Sequence, residues 1–159
     1  NVTLTDYTSD ANALAGAVSR LRARTVNGGG HLVEAIVEAA ASFGKRAERR
    51  GIILVLTLQG QEYGTLRASR VLEVLQQSGA ALNVVDISRP TGQTGAPPVS
   101  YDRYTAAAQQ SDAGESNATR GQVLSDGPRL TGGRRDELIS TAKLMDTVTA
   151  IAEDIAHRP

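Results

Sequence analysis

Two apolar runs with a helical stretch between them constrain this chain more than anything else in it. Ile52 to Leu56 reads Ile-Ile-Leu-Val-Leu, and Ala81 to Ile87 reads Ala-Leu-Asn-Val-Val-Asp-Ile. The first run does not alternate apolar with polar residues, which is the pattern of a parallel strand covered on both faces, and the second reads as another buried strand. Between them, Leu66 to Gln77 places Ala68, Val71, Leu72 and Leu75 on one helical face, and Ser78-Gly79 supplies a stop. A second helix, from about His31 to Arg46, precedes the first strand with Leu32, Ala35, Ile36, Ala39, Ala40 and Phe43 as its stripe. Two helix–strand alternations in succession indicate an α/β sheet.

The flanks are plainer. Val2 to Thr5 is a short alternating segment that reads as a strand, and Thr8, Ser9 and Asp10 offer caps to a first helix. Leu14, Ala17, Val18 and Leu21 predict that helix to be half-buried. Near the end, Arg134 to Ile139 reads as an edge strand whose charges discourage further pairing. A last helix carries Leu144, Val148, Ile151, Ala152 and Ile155 on one stripe. Between the two ordered parts, Pro90 to Pro128 is rich in Gly, Ser, Thr, Gln and Ala, with Pro97-Pro98 in its middle. It reads as a flexible insertion at about 90–128 in which only Tyr101 to Gln110 forms a short helix. Asn117-Ala-Thr119 within it matches a glycosylation sequon, a triplet that arises often by chance.

Length and charge narrow the functions. The 159 residues fit one domain, 1–159, and 17 basic side chains balance 17 acidic ones. Nothing in that balance favours nucleic acid or an anionic membrane, and aromatics at 3% leave few platforms for stacking bases. With no cysteine there is neither a disulfide nor a thiolate metal site. No apolar run approaches the roughly 20 residues of a membrane span.

The motifs taken in order resemble the C-terminal two thirds of a von Willebrand factor type A domain, closest to a divergent bacterial branch. Asn27-Gly28-Gly29-Gly30-His31-Leu32 opens the helix that contains Leu32-Val-Glu-Ala-Ile36. The strand Ile52 to Thr57 follows, with Gly60 just after it, then the helix ending in Ser78-Gly79 and the strand Ala81 to Ile87. Thr131-Gly132-Gly133 and the closing amphipathic helix complete the resemblance. It implies a doubly wound, Rossmann-like sheet that is incomplete at its N-terminal side, since the family's first central strand and its neighbour have no counterpart here. About 70 preceding residues, or another chain, would supply them.

The resemblance also implies a top-face metal site, and the chain departs from it. There is no Asp-x-Ser-x-Ser motif; Gly30 stands where the family has its threonine, and Gln59 where it has an aspartate. Hard divalent cations need oxygen ligands that Gly30 cannot give and Gln59 gives poorly. No metal ligand and no cofactor are therefore assigned. The candidate binding residues are the top-face loops, Asn27, Gly30 and His31 with Gln59, Gln61 and Glu62, where open α/β sheets bind ligands. The plain alternative is that the glycines only make the turn and His31 faces water.

The glycine run follows a helix rather than a strand, with no Lys-Ser or Lys-Thr after it, so it is not a nucleotide loop. No constellation of nucleophile and base appears, so no enzyme is expected. The expected function is protein–protein recognition or a structural place in a larger assembly, with another protein as partner. The alternative is a Mg- or Ca-dependent adhesion domain whose remaining ligands lie in an absent N-terminal segment. The resemblance places such a domain in the bacterial cell envelope, periplasmic or secreted.

Overall fold

A computed structural model describes residues 5, 8–22, 30–43, 51–58, 60–87 and 103–157. In chain order these form α1 (Ala11–Arg22), α2 (Leu32–Phe43), β1 (Ile52–Leu58), α3 (Ala68–Ser78) and β2 (Ala81–Ile87), then α4 (Arg103–Thr131), β3 (Arg135–Leu138), a 3-10 turn at Thr141–Lys143 and α5 (Leu144–Ala156). The three strands are parallel and lie in the order β1-β2-β3. Ile52 stands opposite Ala81 and Leu58 opposite Ile87, while Val84 to Ile87 face Arg135 to Leu138. The α/β class expected from the two apolar runs is present, and β3 takes the edge position its charges suggested. Of the expected strand Val2–Thr5, only Thr5 is described, and it sits in a bend.

Strand alternation sorts the core into two layers. Ile53 and Val55 of β1 and Leu82 and Val84 of β2 share one face with Val33, Ile36 and Ala40 of α2, Val71 and Leu75 of α3, and Val123 and Leu124 of α4. On the opposite face Val85, Ile87 and Leu138 meet Ile151 of α5, with Leu144 and Ile155 packed beside them. Of the stripe expected of the last helix, Leu144, Ile151 and Ile155 thus cover β2 and β3, while Ala152 is exposed. Buried Asn83, on β2, spends its Oδ1 on the backbone N–H of Arg134 at 3.2 Å.

Three expectations are corrected here. The run at 52–58 is not covered on both faces among the described residues: its burial alternates. Ile52, Leu54, Leu56 and Leu58 are 39–53% exposed, because α5 reaches only the β2–β3 side of that face. Likewise α1 is capped as expected, the Asn12 N–H donating to Asp10 Oδ1 at 2.8 Å, yet Leu14 and Val18 of its stripe are about half exposed.

The third correction is the 90–128 stretch. From Arg103 onward it is one 29-residue helix, α4, rather than an insertion with a short helix at 101–110. Gly114, Gly121, Gly127 and Pro128 lie inside it, each a poor helix former, and they hid it from propensity reasoning. Burial of Val123, Leu124 and Pro128 holds it instead, since packing outweighs propensity in most protein helices. Thr131 ties its end to the sheet, donating to the Gly127 carbonyl at 2.8 Å and accepting the Leu82 N–H at 2.9 Å.

Leu75 is fully buried between α3, β2 and α4. Leu75→Ala is expected to lower the unfolding free energy by about 2–5 kcal/mol in urea titration. A loss under about 1 kcal/mol would show that α4 does not close over α3.

Candidate functional site

The site is built where the chain leaves β1. Gly60 to Arg67 carries it from the C-terminal end of β1 to α3, and this loop docks against the entry to α2. The Gly30 N–H donates to the Gln61 carbonyl at 2.9 Å, and the Tyr63 N–H donates to the Gly30 carbonyl at 3.1 Å. This two-bond bridge brings four of the six expected residues, Gly30, His31, Gln61 and Glu62, into one place. Asn27 and Gln59 lie outside the described residues.

Glu62 is the centre of the arrangement. It is 1% exposed, which is unusual for a carboxylate. Its Oε2 accepts the Leu32 N–H at 3.1 Å, satisfying one of the donors that the first turn of α2 leaves open. Its own N–H donates to Asn117 Oδ1 of α4 at 2.9 Å. Glu34, in the first turn of α2, accepts the Thr65 N–H through Oε1 at 3.1 Å. It can do so because residue 64 is glycine: a Cβ there would lie 2.5 Å from Glu34 Oε1. His31 Nδ1 stands 3.9 Å from Glu34 Oε2, with its ring on the exposed rim. Gln61 points away, its Oε1 accepting the Tyr63 hydroxyl at 2.7 Å.

Each carboxylate is therefore held by a backbone N–H through one oxygen and leaves the other without a hydrogen bond. Those unpaired buried oxygens are Glu34 Oε2 and Glu62 Oε1. Burial pushes the Glu62 carboxyl above its ordinary value; the Leu32 and Val33 N–H groups pull the other way, Glu34 adds to the rise and Arg120 opposes it. The centre of the site is rich in acceptors and short of donors, so chemically it takes up a proton or a cation.

Helix α4 supplies the frame. Arg120 donates to the Gly60 carbonyl at 2.7 Å, to Thr57 Oγ1 at 2.9 Å and to the Leu58 carbonyl at 2.8 Å. Ser116 donates to the Gly64 carbonyl at 2.7 Å. Beside them a cleft of about 230 Å³ opens at the C-terminal ends of β1 and β2, lined by Asp86, Asn117, Arg120 and Arg135 among others. Arg135 meets Asp86 across it at 3.4 Å and reaches Glu137 at 2.7 Å, while Asp86 Oδ1 and Arg135 Nε stay buried without a hydrogen bond.

Sequence reasoning missed Glu34, Asn117 and Arg120. Glu34 had a local signal, since it stands three residues after His31 at a helix start and so shares its face. Asn117 and Arg120 had none, because 55 and more residues separate them from the groups they bind. The sequon reading of Asn117 meets a helix and an asparagine oxygen already bonded to the Glu62 N–H.

Two outcomes are expected. Arg120→Ala should cost about 1–3 kcal/mol and speed amide exchange across 60–63, measured by urea unfolding and hydrogen–deuterium exchange. The second concerns pH. With its folded pKa raised above the ordinary 4.5, Glu62 keeps a proton that the unfolded chain releases. Its contribution to stability is whole below about pH 4.5 and falls as pH rises through the folded value. In EDTA-treated protein the stability difference between Glu62→Gln and wild type should accordingly grow in the variant's favour across that window. A pH-independent difference would show that Glu62 is ionised like an exposed carboxylate.

Set beside family models, curated proteins and solved structures, the chain matches none, so the use of this site is read from its chemistry.

Proposed function

We propose that this chain is a protein-interaction module, with another protein as partner and β1 as the surface it meets. The observation that carries this is the apolar row Ile52, Leu54, Leu56 and Leu58, 39–53% exposed on a strand that pairs on one side only among the described residues. Four large aliphatic side chains in line on an edge strand are a ready template for another chain. Covering one such side chain completely is worth about 1.5–3 kcal/mol relative to leaving it in water, so four partly exposed ones form a substantial anchor. Backbone pairing along the free side of β1 would add register.

The type A-like reading belongs to the same proposal. It rests on the order of motifs in the sequence, and three consecutive parallel strands between helical layers are compatible with it. In that reading the missing neighbour of β1 is a strand that the partner provides.

The test is a double substitution, Leu54→Lys with Leu56→Lys, placed on exposed positions so that the fold survives. Cross-linking of the wild-type chain in its native extract should yield a complex in which amides 52–58 are protected from deuterium exchange, and the double variant should lose it. A variant captured as well as wild type, or a complex that leaves those amides unprotected, would overturn the reading.

A further inference from the structure

The geometry points to a divalent-cation site of mixed nitrogen and oxygen donors formed by His31, Glu34 and Glu62, with Zn²⁺ as the ion whose chemistry fits it. One donor atom from each of the three residues lies within 4.8 Å of the other two. Donors bound at about 2.0–2.1 Å sit about 3.4 Å apart around a tetrahedral ion. His31 Nδ1 stands 3.9 Å from Glu34 Oε2, and its ring, exposed on the rim, is free to turn inward.

The independent sign of a ligand is the unpaired oxygen. Glu62 is 1% exposed and its Oε1 has no hydrogen-bond partner, although its Oε2 is fixed by the Leu32 N–H. Glu34 repeats the pattern, with Oε1 fixed by the Thr65 N–H and Oε2 unpaired. A buried carboxylate oxygen left unpaired is costly, and Glu34 and Glu62 each leave one. Backbone donors that orient one oxygen of each carboxylate do what outer-shell partners do around a bound metal: they aim the other oxygen and hold it there.

Charge favours the same ligand. With an ion bound in place of the proton, the two carboxylates would carry two negative charges, which one divalent ion balances. The N-terminus of α2 opposes it with roughly half a positive charge, and Arg120 is engaged with the carbonyl oxygens of Leu58 and Gly60. An imidazole among the donors selects zinc-like ions over magnesium and calcium, which prefer oxygen throughout. These donors are not those of the type A metal site: neither Gly30 nor Gln59 takes part. Three protein ligands, one on the exposed rim, leave a coordination position facing solvent, where a water or a partner's carboxylate would bind.

Calorimetric titration of Zn²⁺ into the tag-free, EDTA-stripped chain tests this, with Co²⁺ absorption as a second probe of the donor set. One ion per chain is expected, with Kd weakened by about tenfold or more in His31→Ala and, separately, in Glu34→Gln. Both positions reach the surface, and circular dichroism checks that the variants fold; His157→Ala serves as the control and should bind as wild type does. Absence of saturable binding, or binding equally strong in the His31 and Glu34 variants, would overturn the site.

Discussion

Arg120 reaches from the middle of α4 to three oxygens at the end of β1, and the upper end of the structure depends on that grip. A strand end and the loop after it carry carbonyls that no neighbouring strand satisfies. One guanidinium, with its planar set of donors, closes two of these carbonyls and the Thr57 hydroxyl at once. With the chain fixed at Thr57, Leu58 and Gly60, the next residues have little freedom. Asn117 and Ser116 then hold the loop at Glu62 and Gly64. The carboxylate of Glu62 is thereby carried under the start of α2, where it could not be kept buried by local interactions alone.

The core of the fold was legible because it is written locally. Ala81 to Ile87 needs only its own composition to be read as a strand, and α3 only its stripe and its Ser78-Gly79 stop. The face of β1 was misread for a definite reason. An apolar run says that side chains prefer burial, not that this chain contains something to bury them. Helix α4 was illegible for the opposite reason: three glycines and a proline lower its intrinsic stability, and the contacts that restore it come from α3 and β2. The site divides in the same way. Gly30, His31, Gln61 and Glu62 sit at the two loops that an α/β sheet brings together at its upper end, so topology alone suggested them. The Glu34 orientation depends on Gly64, and the α4 residues depend on a helix that the sequence concealed.

The burial of Glu62 and the exposure of β1 are alike in one respect. Each departs from what a self-sufficient fold would choose, a hidden charge-bearing group in one case and uncovered aliphatics in the other. The two lie at different ends of the same problem, since β1 leads directly into the loop that carries Glu62. A partner that settles on β1 would stiffen the strand whose end Arg120 holds, and so would bear on the position of the carboxylates above it.

Among the described residues the two borders of the sheet are unlike, and this would bear on how copies of the chain meet. β3 presents Arg135, Asp136 and Glu137 along its border, and a strand approaching it must strip water from those charges. β1 presents aliphatics. Head-to-tail growth, in which the β1 border of one copy meets the β3 border of the next, is thereby disfavoured. A meeting of two β1 borders is related by a two-fold axis and uses up both adhesive edges at once. For the described residues, the asymmetry of the borders would act as a chain terminator, favouring a closed pair over the fibre that two bare edges invite.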